Sequence, residues 1–120
     1  MVIRERGPQN REELSKVVAY VGFFARVAFL IEEGAVDLKT VNRMFAFRFF
    51  LAAHNRHVQE KILYAPLYED HWRSFFVLYR NWVAVRQCQG QTTPWNDHSL
   101  EKFNPERYSQ LVAIPDTNRQ

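Results

Sequence analysis

The stretch Val17–Ile31, fifteen residues with a single charge at Arg26, most narrows what this chain can fold into. Apolar residues at Leu14, Val17, Val18, Val21, Phe24, Ala25, Ala28 and Ile31 recur at the spacing of one helix face. A second stripe runs through Tyr20, Phe23, Val27 and Leu30, and the remaining side carries Ser15, Ala19, Gly22 and Arg26. A helix apolar on two sides needs cover on two sides, so it is expected to be central, packed by several neighbours or by another subunit. Its ends are marked. Asn10-Arg11-Glu12-Glu13 has the pattern of a capping box, and Gly34 can supply the left-handed residue that stops a helix. Fifteen residues fall short of the roughly 20 that span a bilayer, and a central arginine there costs about 3 kcal/mol or more. The expectation is therefore a core helix of a soluble, cytoplasmic protein with no membrane span.

The same periodicity predicts two more main helices. Asp37 caps a second, in which Val41, Met44, Phe45, Phe47, Phe50, Leu51, Val58 and Ile62 continue a helical pattern to about Leu63. The connection from the first is a few residues long, which makes the pair an antiparallel hairpin. Ala65-Pro66 breaks the second helix. A third begins near Glu69 or Asp70 and buries Trp72, Phe75, Phe76, Tyr79, Trp82 and Val83. After a polar loop over 87–97, Asn104-Pro105 gives an N-cap followed by proline at the first helical position, which predicts a short fourth helix to about Leu111. Leu111-Val112-Ala113-Ile114 is the one candidate for a short extended segment. The fold expected is all-α: a small bundle of three main helices plus a short C-terminal helix. Residues 1–9 form a lead-in, 10–115 a single helical domain and 116–120 a tail.

Composition supports a packed core. Ten Phe, five Tyr and three Trp in 120 residues are a heavy aromatic load, while four Gly and five Pro exclude linker-like and collagen-like chains. Sixteen Lys and Arg against thirteen Asp and Glu give +3, with the surplus in residues 37–66. That falls well short of the dense basic stripe of a dedicated nucleic-acid binder, although weak binding to an anionic partner stays open. One cysteine, Cys88, cannot close an internal disulfide and has no adjacent histidine to activate it.

Few constellations suggest chemistry. His54 and His57 stand three apart with Glu60 three further on, so on a continuous helix they share a face and are the candidate metal ligands; a zinc site needs three or four such groups. No glutamate has a histidine three positions later, which removes the paired-helix di-metal signature. Arg43, Arg48, Arg56 and Lys61 could form a basic ridge with Arg73 and Arg80; pairing with Glu32, Glu33, Glu60, Glu69 and Asp70 is the alternative. A glycine-rich phosphate loop, Gly-x-Ser-x-Gly and Cys-x-x-Cys are all missing. No cofactor is implied, and the sequence leans away from an enzyme.

Arg48 and His54, separated by five residues with Asn55 next, resemble the Arg-x(4–6)-His motif of the HEPN ribonucleases, small all-helical domains that cleave RNA as dimers. That resemblance implies Arg48 as the charge-stabilising cation and His54 as the acid–base group; the family usually has a polar residue where this chain has Phe49. A second resemblance covers about residues 12–86. The run Tyr20–Asp37, with its aromatic pair Phe23-Phe24 and Gly34-Ala35-Val36-Asp37 turn, and the later Tyr68-Glu69-Asp70-His71-Trp72-Arg73-Ser74-Phe75-Phe76 resemble a family of uncharacterised bacterial all-helical proteins. It implies an all-helical domain of unknown function, often behind a membrane-spanning helix, with no catalytic residues to transfer. The expected function is a non-catalytic helical interaction module that self-associates or binds a protein partner, with an RNA-binding or RNA-cleaving domain as the alternative.

Overall fold

Asn10 opens the first helix, α1 (Arg11–Glu32), by accepting the Glu13 amide at 2.9 Å, the N-cap bond read from the sequence. The structure, a computed structural model, describes residues 10–65, 72–91 and 98–112. Every regular element among them is helical, so the fold is all-α. Gly34 ends α1 at φ +78°, its N–H bonding the Ile31 carbonyl at 3.1 Å and the next amide, Ala35, reaching Leu30 at 2.9 Å. This is a Schellman stop, and it needs the positive φ that glycine adopts without strain.

Asp37 then caps α2 (Leu38–Ala53) through the Lys39 amide at 3.3 Å. Phe24 meets Phe45 and Phe49 of α2, while Lys16 and Tyr20, earlier in α1, share a cavity with Arg48, later in α2. The two helices therefore run antiparallel.

Helix α2 does not continue to Leu63 as its pattern suggested. It stops at Ala53, and Asn55 starts a new turn, α3 (Arg56–Val58), by accepting the amides of His57 and Val58 at 2.9 and 3.0 Å. An Asx side chain offering the backbone this local alternative is a common way to interrupt a helix. A π-helical turn, Gln59–Leu63, follows and closes with the Tyr64 amide on the Gln59 carbonyl at 2.8 Å. The fully buried Gln59 explains why the break is tolerated. Its amide nitrogen donates to the Ala53 carbonyl at 2.7 Å, satisfying an end of α2, and also to the His98 carbonyl.

The third long helix, α4 (Arg73–Cys88), buries Trp72 at its start and then Phe75, Phe76, Leu78, Tyr79, Trp82 and Val83, which includes every residue expected of its core stripe. The chain also forms α5 (Leu100–Phe103), which the sequence did not suggest, and α6 (Pro105–Val112), with Asn104 accepting the Arg107 amide at 3.1 Å as its cap. Leu111 and Val112 are helical rather than extended. The lead-in over 1–9, the break at Pro66, the caps at Glu69 and Asp70, most of the polar loop and the tail lie outside the described residues.

The core is a stack of rings. Phe49 lies on Trp82 at 4.4 Å and 20°, Phe24 meets Phe49 edge-on at 5.1 Å, and Phe75 closes the other side at 5.0 Å. Such pairs stabilise by about 1 kcal/mol beyond the area they bury. Phe49 was absent from the expected stripe, whereas Met44, Phe47 and Leu51, which belonged to it, point outward. Asn42 explains the rotation. It is buried, accepts the Trp82 indole N–H at 2.7 Å and an Arg86 N–H at 3.0 Å, and donates to Gln91 at 2.9 Å. Only the face bearing Asn42 can meet α4 without leaving the buried indole N–H unpaired.

Candidate functional site

The break after Ala53 decides where the candidate residues go. His54 sits at the end of α2 with its ring turned inward, only 4% exposed, and its Nε2 lies 2.7 Å from the Tyr79 hydroxyl. Burial pushes the Tyr79 phenol well above its ordinary value, with Glu101 and Tyr108 adding to the rise and a backbone hydrogen bond at Leu100 opposing it. Tyr79 is thus a firmly protonated hydroxyl. His54 is a buried histidine whose ring is hydrogen-bonded within the core.

The other candidates lie elsewhere. His57 is half-buried, and Glu60 is on the outside, where its carboxylate accepts from Arg56 Nε at 3.0 Å. Among the described residues, no three His, Cys, Asp or Glu side chains come together in a way that could hold a metal ion. Arg48 is exposed on the outer side of α2 and faces α1, away from the buried His54 ring. The basic ridge is dispersed as well. Arg56 pairs with Glu60 and lies 6.0 Å from the Phe103 ring, and Arg80 reaches the Val112 carbonyl at 3.4 Å.

What remains outside is apolar. Met44, Phe47 and Leu51 are 66%, 72% and 42% exposed and form one row on α2 at helical spacing. Phe23, Phe29 and Leu30 are exposed on α1, and Phe23 joins the α2 side through an edge contact with Phe45 at 5.7 Å. Arg43 and Arg48 flank the row. Among the described residues α1 is also the one helix long and apolar enough to cross a membrane, with 28% of its apolar window buried.

Beside this face, α1 and α2 part to leave a cavity of about 480 Å³ lined by Lys16, Ala19, Tyr20, Phe23, Phe24, Phe45 and Arg48. Burial raises the Tyr20 phenol, and the Arg48 charge beside it opposes that rise. Sequence reasoning missed this site because its residues alternate between two helices and carry no motif. The only signal was the run of small residues Ser15, Ala19 and Gly22 along one side of α1.

No family model matches the chain, and no curated protein or solved structure is significantly similar to it.

Proposed function

We propose that this chain is a non-catalytic helical interaction module that self-associates, with a second copy covering the outer face of α2. One observation carries the reading: Met44, Phe47 and Leu51 form an exposed row disposed almost evenly about Phe47. Reversing such a row about its middle places Met44 against Leu51 of the copy and Phe47 against Phe47, which is the self-complementarity a two-fold interface requires. Large exposed apolar side chains grouped on one helix are otherwise a liability in water. The three long helices are taken as the bundle that holds this face rigid, and the cytoplasm as its compartment. Kinship with the bacterial helical proteins belongs to the same proposal, supported by the apolar pattern alone.

Cysteine cross-linking tests it. In a Cys88→Ser background, Phe47→Cys is expected to give disulfide-linked dimers under mild oxidation, whereas Glu106→Cys, on the exposed side of α6, gives none. Equal cross-linking at both positions, or none at Phe47→Cys, contradicts the proposal. Recovery of the chain in the membrane fraction of its host contradicts it too, and assigns the apolar face to lipid.

A further inference from the structure

The cavity between α1 and α2 is not needed for self-association, since Phe47 and its row do not line it. Its chemistry is specific. The floor is aromatic: Phe24 is fully buried, and Phe23, Phe24 and Phe45 already meet one another edge to face. Both charged residues on its wall, Lys16 and Arg48, are cations, and no carboxylate lines it. Lys16 has only a loose partner outside, Glu12 at 3.8 Å with both side chains exposed, a pair of little energetic consequence. Among the described residues Arg48 makes no ion pair.

We infer that this cavity binds a monocarboxylate carrying a flat aromatic body, with its carboxylate on Arg48 and its ring against Phe23 and Phe45, above the buried Phe24. The volume lies within the range of about 300–1,000 Å³ typical of small-molecule sites. A guanidinium accepts a carboxylate through two parallel hydrogen bonds, and Lys16 adds a second charge across the opening. The Tyr20 hydroxyl also lines the cavity and is a further donor. Phosphate fits less well. The walls are the middles of two helices whose backbone N–H groups are spent on their own carbonyls, and a strongly hydrated dianion gains nothing from a floor of rings. An added ring, by contrast, extends an edge-to-face cluster that is already built.

The test is titration of the full chain with 3-phenylpropionate, followed by amide NMR, with 3-phenylpropanamide, octanoate and inorganic phosphate as separate arms. The acid is expected to saturate, with shifts centred on Ala19, Tyr20, Phe23 and Phe45. The neutral amide should bind about tenfold more weakly or worse, as expected when a charge-assisted hydrogen bond is lost. Octanoate should also be weaker, and phosphate should not saturate. Arg48→Gln should lose about tenfold in affinity, and Ala19→Trp should fill the cavity and abolish saturation. Both positions are exposed, so neither variant should melt below the parent chain. Absence of saturation by the acid, equal binding of amide or octanoate, saturation by phosphate, or unaltered binding in Ala19→Trp overturns the inference.

Discussion

Asn42 accepts the indole N–H of Trp82 at 2.7 Å inside the ring stack, on the side of α2 that turns inward with Phe49 and Phe50. The outward side is then Met44, Phe47 and Leu51. One buried amide thus links the packing of the core to the surface on which the proposed function rests.

Removing that amide should be costly. Asn42→Ala strands the buried Trp82 N–H and takes a partner from Arg86. Each unsatisfied buried group costs about 1–3 kcal/mol, so a loss of roughly 3 kcal/mol is expected in urea unfolding. A loss below about 0.5 kcal/mol, the range of ordinary surface changes, would show that Asn42 does not set the phase of α2.

His54→Ala should behave as a core lesion. It removes the partner 2.7 Å from the Tyr79 hydroxyl and opens space beside Phe50, whose ring lies 5.6 Å away. Destabilisation of about 2 kcal/mol is expected in the same assay. If His54 instead acted on RNA, the variant would keep its stability and the parent chain would cleave RNA.

High pH should unfold the protein through its tyrosines. Burial raises the phenols of Tyr64, Tyr79 and Tyr108 above the ordinary value of about 10. The unfolded chain therefore loses these protons first. Their contribution to stability is complete below about pH 10 and is lost as pH rises from there through the folded values. The melting temperature should fall steeply above about pH 10. Tyr108 adds a contrast, because its buried hydroxyl has no hydrogen-bond partner among the described residues. Tyr108→Phe should be neutral or slightly stabilising at pH 7 and should soften the alkaline decline. Clear destabilisation at pH 7 would mean that the hydroxyl is satisfied in solution.

Much of the fold was legible because it rests on local signals. Asn10, Asp37 and Asn104 cap helices where their types and positions indicated, and Gly34 stops α1. The core stripe of α4 could be read because its other side is polar enough to leave one phase. Helix α2 is apolar on two sides, so periodicity alone could not choose between Phe49 and Phe47; a tertiary partner for Asn42 chose. The interruption at Asn55 was hidden because asparagine is tolerated within helices, and only the pull of Gln59 toward Ala53 and His98 makes the cap the better option. The His54, His57 and Glu60 alignment depended on an unbroken helix and was lost with it. The cavity depends on how two helices diverge, which no spacing along one of them encodes.

The central claim is that a second copy covers the outer face of α2, and light scattering tests it most directly. Mass is followed from low to high micromolar concentration at low and high salt, for the parent chain and for Phe47→Glu. Phe47 is 72% exposed, so the variant should melt like the parent. The parent is expected to pass reversibly from monomer to dimer. Screening of Arg43 and Arg48 should shift that transition to lower concentration at high salt, opposite to the trend for an anionic partner. Phe47→Glu should stay monomeric throughout. A parent chain that remains a monomer at high micromolar concentration, or a variant that dimerises equally well, contradicts the account.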